Sequence, residues 1–432
     1  GRPVLALDLR RLSRTADAVA VAAKAVREAR LAGAVLLAAP LDAVADETPA
    51  AVRLLADAAA TVVLVGTVTW DPLWGSDQPL LLDVEPLRAT HRSQLWRGLL
   101  AGDLAGDLDA GSETAQFVLS PEQVARAARS ARLRALAADA PVTVADLRYG
   151  ARAQNAVGLE RLARRIAPAV GWRDLVLPDP TVARLREIAL RARHRARVLD
   201  EWRMRPGGGR GRGVTALFAG DSGTGKTMSA EVIAADLGLD LYSVDLSSVI
   251  DKYVGETEKN LERIFSEAAG VNAVLLFDEA DAIFGKRSEV RDAHDRYANI
   301  ESAYLLQRME SFDGLAILAT NLRANLDEAF TRRLDVIVDF PTPDEELRRA
   351  LWDRCLGVVP RSGDLDLDFC ATAFELTGGN IRSAAITAAY LAAEEDRALT
   401  TADLVTGVYR EYRKMGRLTL EAEFGPYHAQ VR

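Results

Sequence analysis

The sequence predicts an α/β fold, a parallel sheet with helices on its faces followed by a helical segment, preceded by a smaller module of the same kind. Three observations predict it. Short apolar runs alternate with longer Ala-rich helical stretches along most of the chain, the pattern of βα units whose strands are covered on both faces. A glycine-rich turn joins one of these strands directly to a helix. The chain also resembles itself, run for run and in the same order, at a spacing that drifts from 237 to 257 residues.

Composition bounds the answer. A 432-residue chain with 49% hydrophobic and 27% charged residues is that of a soluble globular protein with two to three domains. The longest apolar runs, such as residues 60–68 and 273–277, stop well short of the roughly 18 residues a membrane span needs. There is no N-terminal signal pattern, and Cys355 and Cys370 alone do not make a disulfide scaffold. The expected location is the cytoplasm, and Gly1 in place of an initiator Met suggests a trimmed start. A net charge of −8 with a pI near 5.3 argues against a protein whose main task is wrapping nucleic acid.

Taken in order, Pro3-Val-Leu-Ala-Leu-Asp8 matches Leu239-Asp-Leu-Tyr-Ser-Val-Asp245 as a short strand. Ala34-Val-Leu-Leu-Ala38 matches Ala273-Val-Leu-Leu-Phe277, and residues 62–67 match residues 316–321 as a third buried strand. Further on, Arg92-Ser-Gln-Leu-Trp96 answers Arg348-Arg-Ala-Leu-Trp352, and Phe117-Val-Leu-Ser-Pro-Glu-Gln-Val124 answers Phe374-Glu-Leu-Thr-Gly-Gly-Asn-Ile381. Residues 1–140 are therefore expected to form the first module, with a sheet unit at 1–97 and a helical part at 98–140. A linker follows at 141–175, then a large α/β unit at 176–342, a helical lid at 343–425 and a tail at 426–432. Pro206-Gly-Gly-Gly-Arg-Gly-Arg-Gly213 reads as a loop between a helix and the next strand.

Gly220-Asp-Ser-Gly-Thr-Gly-Lys-Thr227 fits G-x-x-x-x-G-K-[ST] and stands between the strand-like residues 215–219 and the helix-like residues 228–237. Such a loop turns its backbone N–H groups onto an anionic phosphate at a helix N-terminus. Gly220, Asp221, Ser222, Gly223, Thr224, Gly225, Lys226, Thr227 and Met228 are the candidate nucleotide contacts, with Lys226 supplying a point charge and Thr227 a magnesium ligand. Downstream, Phe277-Asp-Glu-Ala-Asp281 ends a buried strand in adjacent carboxylates. Asp278 is the second candidate for magnesium, and Glu279 the candidate that orients and deprotonates an attacking water. Asn321 closes another strand beside the same water. Arg332, Arg333 and Arg382 are candidate phosphate-reaching arginines; one that reaches a neighbour's γ-phosphate is worth roughly 10³ to 10⁵ in turnover.

With the phosphate loop, Phe277-Asp-Glu-Ala-Asp281, Ala319-Thr-Asn321 and Arg332-Arg333, the second half resembles the AAA family of ATPases. Gly255-Glu-Thr-Glu-Lys259, Phe284-Gly-Lys-Arg-Ser-Glu-Val290, Arg291-Asp-Ala-His-Asp-Arg-Tyr-Ala-Asn-Ile300 and Gly378-Gly-Asn-Ile-Arg382 resemble more narrowly the bacterial AAA proteins encoded beside phage-tail-like contractile injection systems. The resemblance implies an α/β P-loop NTPase with a helical lid, ATP and Mg2+ as cofactors, assembly into a ring, usually a hexamer, and mechanical work on a protein substrate or adaptor. It assigns Lys226 and Thr227 to nucleotide and metal, Asp278 to metal, Glu279 to water activation, Asn321 and Arg382 to the two sensors, and Arg332 or Arg333 to a finger acting across subunits. It also assigns Tyr253, Val254 and Gly255 to the tip of a pore loop that grips polypeptide, with residues 284–297 as a second pore loop. Two departures stand out. Arg332 and Arg333 are adjacent where many relatives separate them, and Asp221-Ser222 occupies positions where relatives commonly carry prolines.

In the internal alignment Asp278 falls on Ala39, Glu279 on Pro40, Asn321 on Thr67, Tyr253 on Ala16 and Arg382 on Ala125. The first module thus reads as a degenerate AAA-like copy serving as scaffold, with an unrelated α/β domain as the alternative. Two rival functions are a nucleotide-controlled assembly scaffold that threads nothing and a nucleic-acid translocase; the acidic balance weighs against the second.

Overall fold

The computed structural model describes residues 1–84, 89–155, 158–204, 211–249, 255–269, 271–284, 293–321 and 331–430. The chain divides into two compact units, Gly1–Glu85 and Pro86–Arg432.

In the first unit, strands β1 (Val4–Asp8), β2 (Val35–Ala39) and β3 (Val62–Leu64) pair in parallel in the order β1-β2-β3. Leu36 and Ala38 of β2 are fully buried with Leu9, Ala22, Val52 and Leu55 from the helical connections. Helix Ala18–Leu31 is capped by Asp17, whose carboxylate accepts from the Ala20 N–H at 2.9 Å.

The second unit holds the large sheet, ordered β4-β6-β7-β8-β5-β9. Its strands are β4 (Arg164–Ile166), β5 (Val214–Gly220), β6 (Asp240–Asp245), β7 (Ala273–Asp278), β8 (Leu315–Thr320) and β9 (Val336–Phe340). All pair in parallel except β4, which runs antiparallel to β6 at one edge. The inner strand β5 is buried at six consecutive positions, as a parallel strand covered on both faces must be. One face packs Phe218, Val274 and Ile317 against Ile188 and Ile233; the other packs Leu217, Leu275 and Phe277 against Leu261 and Phe265. Strands β6, β7 and β8 stand in the same consecutive parallel order as β1, β2 and β3. Among the described residues no helix is long and apolar enough to cross a membrane.

The helical lid has its own core. Helices Glu345–Leu356, Leu367–Ala373, Gly378–Glu394 and Thr401–Lys414 enclose Trp352, Phe374, Ile381, Ala384, Leu404 and Tyr412. The last turn, Gly425–Gln430, set down as part of a tail from the sequence, belongs to this lid. Phe424 is fully buried 5.1 Å from Phe374, and Tyr427 lies 5.6 Å from Phe369.

A second helical segment repeats the lid: Ala89–Leu99, Ala110–Glu113, Pro121–Ala137 and Val144–Arg152. Its β-bridge Leu104↔Val142 recurs as Arg361↔Leu399, an offset of 257 in both members (104 to 361, 142 to 399). Thr143 and Asp146 form a capping box, as do Thr400 and Asp403 at the same offset. Gly150 and Gly407 also correspond: a Cβ there would meet Ala127 O at 2.3 Å and Ala384 O at 2.4 Å, so both helix crossings require glycine. Trp96 and Trp352 are both buried.

The boundaries differ from those expected at 97, 140 and 175. The helical copy begins by Ala89, runs on to Arg152, and shares one core with the large sheet rather than with β1–β3. Trp96, Phe117, Leu119 and Val124 belong to the cluster that contains Ile233, Leu237 and Val274. Polar contacts seal the joint. Gln116 Nε2 donates to Leu237 O at 2.6 Å, the Val118 N–H donates to Asn272 Oδ1 at 2.6 Å, and the Asn272 N–H donates to Asn155 Oδ1 at 2.9 Å. The expected linker is also structured. Arg165 of β4 donates through Nε and Nη2 to the buried Asp240 carboxylate at 3.1 and 2.9 Å; two arginines in three residues disguise an edge strand whose charges reach water.

Removing residues 1–85 should therefore leave a protein with one cooperative thermal transition, whereas removing residues 1–140 strips Trp96, Phe117 and Val124 from the shared core and should abolish it. Losing one such aromatic alone costs about 3–5 kcal/mol. Circular dichroism melts of the two truncations make the comparison.

Candidate nucleotide site

The site is built where the carboxyl ends of β5, β7 and β8 converge, the position an open parallel sheet reserves for ligands. Strand β5 ends at Gly220, beside Phe340 of β9. The loop then turns through Gly223 at φ +79° and Gly225 at φ +104°, conformations only glycine adopts without strain. Thr224 Oγ1 donates to Asp221 O at 2.8 Å and holds the turn. Helix Lys226–Leu237 starts at Gly225 with no side-chain cap, leaving its first N–H groups directed at the loop.

Lys226 is 7% exposed. Its Nζ donates to Gly220 O at 2.6 Å, Asp221 O at 2.9 Å and Asn321 Oδ1 at 2.8 Å. Burial pushes this amine below the usual lysine range, while the carboxylates of Asp278, Asp281 and Asp221 oppose the shift. Thr227 Oγ1 donates to Asp278 Oδ2 at 3.2 Å. A hydroxyl and a carboxylate at this spacing are hard oxygen donors suited to Mg2+, whose remaining ligands would be water and phosphate. Among the described residues no group of three or more His, Cys, Asp or Glu forms a closed metal cage.

Glu279 follows Asp278 at φ +55°, an uncommon backbone for a non-glycine residue and of the kind that collects at functional sites. Its N–H donates to Asp278 Oδ1 at 3.0 Å, and the next N–H, of Ala280, donates to Ala319 O of β8 at 2.9 Å. The turn thereby splits the two carboxylates: Asp278 faces Thr227, and Glu279 is exposed. The Asn321 N–H donates to Asp281 Oδ1 at 3.4 Å, so Asp281, not singled out from the sequence, steadies the residue that bonds Lys226.

The lid reaches this loop directly. The Gly379 N–H donates to Gly223 O at 2.9 Å, and a Cβ on Gly223 would meet Thr377 Oγ1 at 2.6 Å. Arg382 lies on the same lid helix, exposed, with its charge felt at Cys355. Asp221 is exposed; its carbonyl bonds Lys226 and its carboxylate acts on that amine electrostatically. Ser222 is exposed and Met228 half-buried, neither with a described role.

Arg332 and Arg333 are not brought to this site. Both are exposed before β9, where Thr215 Oγ1 donates to Arg333 O at 3.4 Å and Arg333 Nε lies 3.8 Å from Glu310 Oε1. Thr215 is the second residue of β5 and Gly220 its last, a separation of roughly 16 Å at about 3.3 Å per residue. Tyr253 and Val254 lie outside the described residues, as do 285–292 of the second expected pore loop. Gly255 is described, at φ +86°, with open space around the position of a Cβ, and it precedes helix Glu256–Ala268.

A phosphate loop, a metal-suited Thr–Asp pair, an adjacent glutamate and a strand-end asparagine on one parallel sheet define a nucleotide-hydrolysing P-loop domain. Residues 216–342 match the family described as ATPase family associated with various cellular activities (AAA), and the chain carries an AAA ATPase domain. Similar proteins include the 26S proteasome subunit RPT4 of Saccharomyces cerevisiae, 31% identical over 216 residues (48% of this chain and 49% of that protein). A probable 26S proteasome regulatory subunit 6B of Caenorhabditis elegans is 34% identical over 194 residues (43% and 46%). An uncharacterized AAA family ATPase of Sinorhizobium fredii is 38% identical over 128 residues (30% and 39%). The chain thus spans about half or less of the length of these curated relatives.

Gly223→Ala places a side chain at a left-handed φ and against Thr377, straining the loop and displacing the lid. At least a tenfold loss of ATP affinity is expected, with the melting temperature held within a few degrees; equilibrium nucleotide titration and a thermal melt read the two quantities.

Proposed function

We propose that this chain is a Mg-ATP-hydrolysing motor that assembles into a ring, in the manner of a hexamer, and remodels or threads a protein substrate. The observation that carries the reading is the triple contact of Lys226 with the loop carbonyls and Asn321, beside the Thr227–Asp278 pair. Their closeness at the carboxyl ends of β5, β7 and β8 supports a common site for phosphate, metal and attacking water. Mg-ATP bound there would present its γ-phosphate to Lys226. Thr227 and Asp278 would hold the metal, Glu279 would take the proton of the attacking water, and Asn321 would orient that water.

Proteins named as proteasome ATPase-ring components stand among the relatives, which supports a protein substrate. The span between Arg333 and the loop of the same chain supports a finger offered by Arg332 or Arg333 to a neighbouring subunit, and therefore a ring. Arg382 serves as the lid sensor, and Tyr253, Val254 and Gly255 as the grip on an extended polypeptide. The first unit, lacking Asp278, Glu279 and Asn321 equivalents, serves as scaffold or docking surface. A place beside a cytoplasmic contractile injection system, with its assembly or loading as the work done, follows from the sequence resemblance.

Lys226→Ala should abolish ATP binding, whereas Glu279→Gln should bind ATP and hydrolyse it at least a hundredfold more slowly, because one residue meets phosphate and the other only water. Wild-type turnover by the Glu279→Gln protein would sink the assignment. Mixing inactive Lys226→Ala chains with inactive chains carrying Arg332→Ala and Arg333→Ala should restore activity at mixed interfaces. No rescue, with mixed assembly verified by native mass spectrometry, counts against a finger acting in trans.

A further inference from the structure

The two sheets, laid on one another by the internal repeat, differ in what stands beyond their third strand. Strands β1, β2 and β3 answer β6, β7 and β8; the large sheet continues past β8 with β5 and β9, whereas among the described residues no strand of the first unit pairs with the far side of β3. The counterpart of β9 is nevertheless present. Leu80-Leu-Leu-Asp-Val84 matches Val336-Ile-Val-Asp-Phe340 at an offset of 256 (80 to 336), the offset that also relates Trp96 to Trp352. The carboxyl edges are built alike as well. Asp42 answers Asp281 and Thr67 answers Asn321 in the repeat; the Thr67 N–H donates to Asp42 Oδ2 at 3.1 Å, as the Asn321 N–H donates to Asp281 Oδ1 at 3.4 Å.

Burial separates the two copies. Ile317 and Ala319 of β8 and Val336, Val338 and Phe340 of β9 are buried in one cluster with Ala216 and Phe218 of β5 and with Ile233 of the helix that follows it. Their counterparts are equally apolar and lie in water: Val63 and Val65, at an offset of 254 (63 to 317, 65 to 319), are 43% and 47% exposed, and Leu80, Leu82 and Val84 are each 77% exposed or more. Single exposed apolar side chains are ordinary, but five that map onto one buried cluster form a surface with a missing cover. Among the described residues no hydrogen bond engages the backbone of residues 80–84. A sheet edge and a second apolar segment, both with unspent N–H and C=O groups, are a template for an added strand.

We propose that the first unit is an acceptor for a strand–helix element of a partner protein, which adds in parallel along β3 and takes the place that β5 and helix Lys226–Leu237 hold in the second copy. That copy gives the chemistry of the occupant. Val214-Thr-Ala-Leu-Phe-Ala-Gly220 is an uncharged strand of 7 residues, and the helix after it presents Ala230, Ile233 and Leu237 to the same core. Ala216 and Phe218 pair with Ile317 and Ala319, so the added strand would set two apolar residues beside Val63 and Val65. Main-chain bonds supply the affinity of such strand addition and the alternate side chains its selectivity. A second copy of this chain offers no free strand of this kind, because its β5 is buried at six consecutive positions in its own sheet. The proposal gives the docking role of the first unit a partner class, and it rests on the internal repeat, not on nucleotide chemistry at Lys226.

The test adds a synthetic peptide of residues 213–238, which carries strand and helix together, to the full chain. Calorimetry should show one peptide bound per chain, and hydrogen–deuterium exchange at residues 62–65 and 80–84 should slow at least tenfold in the complex. Val63→Lys and Leu82→Lys each place a charge at an exposed position; each should weaken peptide binding at least tenfold, with melting temperature within a few degrees and ATP turnover within twofold of wild type. A peptide carrying Leu217→Lys and Phe218→Lys should not bind. Absence of binding to wild type, or equal binding to wild type and to both lysine variants, overturns the inference. Self-association of the wild type that both lysine variants abolish would put a second copy on this edge, and overturns it too. The Lys226→Ala chain should bind the peptide as wild type does, so a failure of ATP hydrolysis leaves this inference standing and a failure of peptide binding leaves the ATPase reading standing.

Discussion

Everything at the sheet's carboxyl edge is organised by one buried ammonium. Lys226 has three N–H donors and places them on Gly220 O, Asp221 O and Asn321 Oδ1, so the end of β5 and the residue after β8 are held by a single group. The same charge lies among three carboxylates, those of Asp278, Asp281 and Asp221. Without it they would repel one another in a partly desolvated site. The cost of burying the ammonium and the benefit of the surrounding negative charge act in opposition, which is why its proton affinity moves down and yet the cation is tolerated there.

The parallel topology explains why so few residues suffice. Strands β5, β7 and β8 are neighbours; β7 and β8 place Asp278 and Asn321 at or just past their ends, and the loop after β5 brings Lys226 to the same place. Among the described residues of this edge the phosphate-loop glycines and Glu279 have positive φ, and at Glu279, which is no glycine, the turn leaves Asp278 facing Thr227 and Glu279 exposed. The arginines belong to the other end of the sheet. The phosphate loop and the exposed arginines thus lie at opposite ends of β5.

Much of this was legible in the residues. The phosphate loop, the carboxylate pair and Asn321 lie at the ends of apolar runs, and a run of buried residues bounded by glycine is the strongest local signal a parallel sheet produces. The internal repeat was legible for the same reason, since core positions such as Trp96, Trp352, Phe117 and Phe374 are fixed by packing. What escaped was the partnership of elements distant in sequence. Nothing local in Trp96 or Val124 states that they pack with Ile233 rather than with Leu36, so the module boundary was drawn in the wrong place. Strand β4 escaped because Arg164-Arg165-Ile166 has the composition of a loop; only Asp240 across the sheet makes it a strand. Asp281 and Gly379 reach the site through bonds to the backbone of Asn321 and Gly223, which leave no mark in a motif.

The clamp at Asn272 has a mechanical meaning. Asn272 stands immediately before β7, and its bonds to Val118 and Asn155 fix the end of that strand opposite Asp278. Gln116 does the same for the end of the phosphate-loop helix opposite Lys226. The first helical copy thus holds both elements at their rear ends. With the rear ends of both elements anchored to a packed body, a displacement at the front cannot be absorbed by sliding the strand or the helix backward. Among the described residues the lid, with its own core, rests on Gly223 at the front. The helical repeat thus supplies a fixed rear wall to the strand and the helix whose front ends form the phosphate loop's surroundings.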